Sequence, residues 1–371
     1  MTFYQICGML FLVSAAVVYG LSPFCAWLAR KIGLVDRPGE RKIHADAVPY
    51  GGGIAVLAGI FITIGGAYLA LGAGFEHLPA AWREFITPYL VGITDRPILR
   101  LLAFILGGAI AMFGLGLIDD FCSLSPRVKL GAQILAASAV WYGGVRANVW
   151  VDTTWLNFTG TVLWIVLITN AFNLLDNMDG LAAGVALIAG AALFAMMSDR
   201  YYFSSALIVT LTGALTGFLP RNFAAPPRKL FLGDAGALFV GFMLATATII
   251  GSYFRDRHDL AHSLLMPVIV LGVPLFDTFS VIIIRLKNRR PLMVGDTNHL
   301  SHRLTRRGFT RRQAVATIYL LSLIFGLAAQ LLGQLSAGGV VVLFASLFCV
   351  VMLMVLLLGR SEDNLQLKIN N

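Results

Sequence analysis

Long apolar runs separated by short polar and basic segments make up the chain, and no polar stretch leaves room for a soluble domain. Candidate spans fall at 3–29, 50–72, 100–118, 128–145, 157–174, 181–197, 204–219, 235–254, 263–284, 313–333 and 338–358. A helix needs about 20 mainly apolar residues to cross a bilayer, so the pattern predicts an all-α, polytopic integral membrane helix bundle of about eleven transmembrane helices, with ten to twelve open. Residues 1–371 read as one transmembrane domain without a fixed-period repeat. The first run has no basic residue before Arg30. It therefore lacks the basic start of a cleaved signal peptide and is expected to be the first span.

Composition agrees with the pattern. Of 371 residues, 58% are hydrophobic and 13% charged, against about 25% charged in soluble proteins. This excludes a water-soluble enzyme, a disordered chain and a nucleic-acid-binding module, and makes the lipid bilayer the expected surroundings. Cys7, Cys25, Cys122 and Cys349 show no C-x-x-C spacing, so neither a zinc site nor a disulfide framework is implied.

Charge adds orientation. With eleven spans, 21 of the 28 Lys and Arg fall in one set of alternate loops, the bias that marks the cytoplasmic side. The N-terminus is then outside and the C-terminus cytoplasmic. The acids are 15 Asp and only four Glu. Most of the Asp, including Asp36, Asp119, Asp120, Asp176, Asp179 and Asp234, share the basic face, and Asp277 lies near that end of the ninth span. Topology alone does not require this, because acids contribute little to orientation. Active-site loops are expected at about 30–49, 119–129, 173–180, 220–235 and 285–312.

The third span ends G-L-G-L-I-D-D-F, placing Asp119 and Asp120 together with no cation nearer than Arg127 and Lys129. Adjacent like charges repel unless a cation or a shared proton relieves them. Two solvated loop acids would be the plain alternative. The fifth span runs into T-N-A-F-N-L-L-D-N-M-D-G, where Asn170, Asn173, Asp176 and Asp179 recur every three residues and would form an oxygen-rich stripe on a helix. Two of them lie inside an apolar span, where an unpaired amide is costly. The eighth span opens F-L-G-D-A-G, with Asp234 either a helix cap or a ligand at a helix N-terminus that favours phosphate. The basic loop carries H-L-S-H-R-L, offering His299, His302 and Arg303 to a phosphate or a nucleobase. Lys42 and His44, in the first loop of that face, extend the basic patch.

Asp and Asn oxygens suit Mg²⁺ or Mn²⁺, and Mg²⁺ commonly takes one or two carboxylates plus substrate phosphates. The constellation reads as phosphoryl transfer by positioning and charge neutralisation. No G-x-x-x-x-G-K-[ST] is present, which excludes a P-loop ATPase. A different class, a cation-coupled transporter, also places Asp and Asn within helices.

In order and on one face, L-I-D-D, N-A-F-N-L-L-D-N-M-D-G-L-A, F-L-G-D-A-G and H-L-S-H-R-L resemble the polyprenyl-phosphate N-acetylhexosamine-1-phosphate transferase superfamily. D-R-P-G-E-R-K-I-H and V-P-Y-G-G-G extend the resemblance over most of the chain. It implies Mg²⁺-dependent transfer of a sugar 1-phosphate from a UDP-N-acetylhexosamine to a polyprenyl phosphate such as undecaprenyl phosphate, releasing UMP. The setting implied is a bacterial inner membrane, with the site on the cytoplasmic face and cell-envelope polysaccharide as the destination. Carried over by position, Asp119 resembles the proposed base or lipid-phosphate aligner, with Asp120 beside the metal. Asp234 resembles the direct Mg²⁺ ligand, helped by Asn173, and Lys129 a phosphate-binding lysine. Asp176 and Asp179 resemble nucleotide-side acids, and His299, His302 and Arg303 the pyrophosphate and sugar contacts. The sequence departs from the resemblance at Asn177, Ala237 and Ser301, where Gly, Ser and His are common, and these positions bear on which sugar is read. The final loop and the span number favour the GlcNAc-1-phosphate branch over the phospho-N-acetylmuramoyl-pentapeptide branch. A homodimer is left open.

Overall fold

A computed structural model of the chain describes residues 3–36, 47–74, 96–147, 153–198, 202–253, 260–291 and 297–369, with single positions at 80, 83 and 87. Lys42 and His44 lie outside the described residues.

Each expected span falls on helix. The order is α1 (Phe3–Lys31), α2 (Gly52–Gly74), α3 (Arg96–Cys122), α4 (Pro126–Gly143), α5 (Thr154–Leu175), α6 (Leu181–Met197), α7 (Tyr202–Asn222) and α8 (Gly233–Tyr253). Then follow α9 (Leu260–Val270), α10 (Gly272–Lys287), α11 (Leu300–Arg306), α12 (Arg311–Leu331), a 3₁₀ turn and α13 (Ala337–Ile369). A two-residue ladder, Val35–Asp36 against Val48–Pro49, closes the loop after α1. Among the described residues seven helices, α1, α2, α3, α5, α7, α8 and α12, are long and apolar enough to cross a membrane. α6 and the Gly338–Met354 part of α13 are apolar but shorter. The protein is a multi-pass helical membrane protein.

The ninth expected span is not one helix. It divides at Leu271 into α9 and α10, because Pro274 has no N–H to give to the carbonyl of Val270 across the junction. A second departure is α11, a short helix inside the basic loop that hydropathy alone does not reveal.

α8 is the axis of the bundle. Its apolar window is 94% buried, against 28% for α1 and 33% for α3, and it packs on α3, α5, α6 and α2. Two polar pairs sit inside the bundle: Trp164 Nε1 donates to Thr248 Oγ1 at 3.0 Å, and Asn170 and Gln133 exchange two bonds at 2.6 and 3.2 Å. An amide left alone in an apolar interior would cost several kcal/mol or shed its helix, so these pairs fix the rotation of α4, α5 and α8.

The ends of α1, α3, α5, α7 and α10 meet the starts of α2, α4, α6, α8 and α12 at one end of the bundle. Gly52 N–H donates to Phe231 at 2.9 Å and Gly53 N–H to Leu232 at 2.9 Å, tying the start of α2 to the segment before α8. α3 reaches the N-terminus of α8 only because residue 116 has no side chain: a Cβ there would stand 2.4 Å from the backbone of Asp234 and Ala235. Gly116→Val should force α3 off α8 and destabilise the fold by roughly 1–3 kcal/mol or more. The check is the thermal midpoint of detergent-solubilised protein, and an unchanged midpoint would contradict this packing.

Candidate active site

The site grows from three helix ends. In the last turn of α3, Asp119 Oδ1 accepts the Leu124 N–H at 2.6 Å, which reverses the chain. Ser125 and Pro126 then start α4, and its first turn brings Lys129 back over α3. Lys129 Nζ lies 2.5 Å from Asp119 Oδ2 and 3.0 Å from Asp234 Oδ2. Asn173, in the last turn of α5, donates to Asp234 Oδ1 at 2.9 Å. One ammonium therefore stands between two carboxylates from different helices, and an amide orients the second. Two of the three Lys N–H groups are used, leaving a donor for an incoming anion.

Asp120 points the other way. Its two oxygens accept the N–H groups of Asp234 at 2.9 Å and Ala235 at 3.1 Å, capping α8 from another helix. An α-helix start leaves its first N–H groups without partners in the helix, and a carboxylate there also meets the positive end of the dipole. Gly233 sits at φ +74°, and a Cβ on it would come 2.6 Å from Asp120 Oδ2. The G-D-A-G sequence thus serves the cap as well as Asp234.

Beside this centre opens a cavity of about 870 Å³, within the range that holds a small-molecule ligand. Asp176, Asn177 and Asp179 from the α5–α6 turn form one wall, and His302 and Thr305 of α11 with Arg311 of α12 face it. Tyr50 and Lys229 complete the rim. Lys229 Nζ holds Asp179 Oδ2 at 2.6 Å, so the acid without a neighbouring base in sequence is neutralised from the α7–α8 loop. Asp176 has no such partner among the described residues. Burial pushes its carboxyl well above the ordinary range, and Asp234, Asp120 and Asp179 nearby push it further. Tyr50, bonded to Asp36, is likewise raised by burial and by Asp36, with smaller effects from Asp120 and Asp234. Burial holds His302 below the usual imidazole range, reinforced by His299 and Arg306, so near neutral pH it is an uncharged donor or acceptor.

Three other expected residues have different placements. Asn170 is bound to Gln133 and the Val166 carbonyl within the bundle and is not on the cavity wall. His299 is buried, with Nδ1 2.8 Å from Asp277 Oδ2, while Asp277 Oδ1 accepts the Leu300 N–H at 2.6 Å. Arg303 is buried behind α11. His299 therefore anchors α11, and His302 is the imidazole presented to the cavity. Asp277 itself was legible only as an acid near the end of a span; the signal for its role is an Asp inside an apolar segment, which must find a partner.

Could these residues hold Mg²⁺? Among the described residues no group of three or more His, Cys, Asp or Glu forms a closed metal site. Mg²⁺ takes few protein carboxylates and completes its shell with water and substrate phosphate, so a site for it does not require such a group. Burial raises the Asp176 carboxyl, and Asp234, Asp120 and Asp179 raise it further; a cation among these oxygens would relieve that repulsion. The donor set fits a divalent cation.

Fold and site together define a helical membrane protein with carboxylates, lysines and a ligand-sized cavity gathered at one end. The description "Glycosyl transferase family 4" matches residues 102–252. The chain is 33% identical to the probable undecaprenyl-phosphate N-acetylglucosaminyl 1-phosphate transferase of Bacillus subtilis, covering 87% of this chain and 84% of that one. It is 32% identical to the decaprenyl-phosphate N-acetylglucosaminephosphotransferase of Mycobacterium tuberculosis (95% and 89% covered). To the undecaprenyl-phosphate alpha-N-acetylglucosaminyl 1-phosphate transferase of Thermotoga maritima it is 28% identical (95% and 99% covered). The chain belongs to glycosyl transferase family 4 and is a transferase.

Removing the ammonium should expose the repulsion it masks. Lys129→Met is expected to cost roughly 2 kcal/mol at neutral pH, and adding Asp119→Asn should recover part of the loss. A double-mutant cycle on the thermal midpoint reads this directly, and strict additivity would show that the pair does not interact.

Proposed function

We propose that the protein transfers GlcNAc-1-phosphate from UDP-GlcNAc to undecaprenyl phosphate, with release of UMP, in a bacterial inner membrane and at its cytoplasmic face. The observation that carries this reading is Lys129 suspended between Asp119 and Asp234, at the start of α8 that directly follows Leu232 of the cavity wall. The names of the relatives supply the sugar and the polyprenyl acceptor. The excess of basic residues on this face supports the cytoplasmic side.

A polyprenyl phosphate buries its chain in the bilayer at about 0.8 kcal/mol per methylene, so its phosphate is presented only at the membrane surface. The end of the bundle is where α3, α4 and α8 offer Lys129 to it. In the cavity the uridine diphosphate would lie between the Asp176–Asp179 wall and His302, with Arg311 and Lys229 near its phosphates. A lipid-phosphate oxygen then bonds to the phosphorus carrying the sugar, and the anhydride bond to UMP breaks. One anhydride replaces another, so no ATP is required. Asp119 orients Lys129 and, through it, the acceptor phosphate; a phosphate already ionised near neutral pH needs little proton removal. Mg²⁺ would be held by Asp234 with Asn173, beside Asp120, and supplies charge neutralisation of the diphosphate when bound. Mn²⁺ has the same ligand preference and is the natural substitute.

Purified protein with Mg²⁺, undecaprenyl phosphate and a panel of UDP-sugars should release UMP and yield a lipid product of the mass expected for GlcNAc. Asp234→Asn and Asp119→Asn, both intact by melting, should lose at least about a hundredfold in turnover, the scale of one preorganised charge. Chelation should abolish the reaction and Mg²⁺ restore it. Wild-type rates in either variant would remove that residue from the mechanism. Solute uptake into liposomes without nucleotide release would replace the proposal with a transporter.

A further inference from the structure

A side-chain hydrogen bond joins α11 to the opposite wall of the cavity. Ser301, in the first turn of α11 and 1% exposed, donates its hydroxyl to Asn177 Oδ1 at 2.5 Å. Asn177 lies between Asp176 and Asp179 on the opposite wall and itself lines the cavity. Its amide Nδ2 is fixed by the Leu174 carbonyl at 2.8 Å, so Oδ1 is turned toward α11. The backbone at 177 is not in the left-handed region, whose described non-glycine members are Ser123 and Arg289. An amide side chain is therefore accommodated there without strain.

Two hydrogen-bonded contacts of α11 with other elements matter here. Asp277 ties His299 and Leu300 to α10, which secures the helix to the bundle but not to the α5–α6 turn. Asn177–Ser301 supplies that second connection. Because His302 and Thr305 project from the same short helix, the bond sets their distance from Asp176 and Asp179. A seven-residue helix has little stability of its own. Its position is decided by such contacts.

We infer that Asn177 and Ser301 act as one positioning unit that fixes the width of the nucleotide-sugar cavity and so governs donor binding, leaving the lipid-phosphate side untouched. This rests on the function proposed above. Neither residue touches the Lys129 centre, which is held by its own bonds from α3, α5 and α8. These are also two of the three positions at which the sequence departs from the superfamily it resembles, and the structure places them in contact.

The test is a double-mutant cycle of Ser301→Ala, Asn177→Ala and the double variant, measured by steady-state kinetics with UDP-GlcNAc and undecaprenyl phosphate varied in turn. Each single change should raise the KM for UDP-GlcNAc about fivefold, the worth of one neutral hydrogen bond, and the double should be no worse than either single. The KM for undecaprenyl phosphate should stay constant. Ser301→Thr, which keeps the hydroxyl, should lie closer to wild type than Ser301→Ala does, which guards against a loss caused by misfolding. Multiplying effects in the double, or an equal rise in both KM values, overturns the inference while wild-type turnover upholds the function. A wild type that releases no UMP from UDP-GlcNAc overturns both.

Discussion

Everything at the functional end depends on how the start of α8 is satisfied. This helix is the most enclosed in the bundle, so its first N–H groups cannot turn to solvent, and a buried N–H without a partner is costly. Asp120 meets two of them with its two oxygens. That demand locks α3 against α8 and brings the neighbouring Asp119 toward Asp234. Two carboxylates so placed repel, and Lys129 is the group between them. The cap, the acid pair and the lysine are therefore consequences of one requirement.

The same arrangement divides the work. Lys129, Asp119 and Asp234 form a rigid centre on helix ends, where each side chain has a second contact that fixes its rotamer. The cavity walls come from shorter segments, the α5–α6 turn and α11, which are held by side-chain bonds from other elements such as Lys229–Asp179, Tyr319–Gly180 and Asp277–His299. A centre that moves charge benefits from preorganisation. Walls that admit and release a ligand need only be positioned, and local elements with few contacts open at lower cost.

Much of this was legible in the sequence because the bilayer makes hydropathy informative. Every expected span falls on helix, and Asp119, Asp120, Asn173, Asp176, Asp179 and Asp234 do gather at one end. What escaped was of one kind: the partners of those residues. Lys229 reaches Asp179 across 50 positions, and Ser301 reaches Asn177 across 124. No local pattern encodes such pairs. His299 looked like a ligand because an imidazole beside basic residues suggests phosphate, yet Asp277 from a span takes its ring nitrogen. The break at Leu271 was hidden because Val, Ile, Leu and Phe around Gly272 and Pro274 keep the hydropathy high through the junction, and hydropathy does not count hydrogen bonds.

The net charge of +9 gains a specific meaning from this geometry. On the proposed function, long-range attraction would draw anionic lipid headgroups and nucleotides toward the basic face, and it would weaken with salt over about one Debye length. At the cavity and the Lys129 centre beside it the balance differs: Asp119, Asp120, Asp176, Asp179 and Asp234 stand with Lys129, Lys229 and Arg311, and burial, then the neighbouring acids, raise the Asp176 carboxyl. A basic surround alone would hold a diphosphate too evenly, in ground state and transition state alike. On the proposed function, an acidic core that takes a divalent cation together with the diphosphate would make binding conditional on both and would place the positive charge where the anhydride exchanges rather than over the whole face.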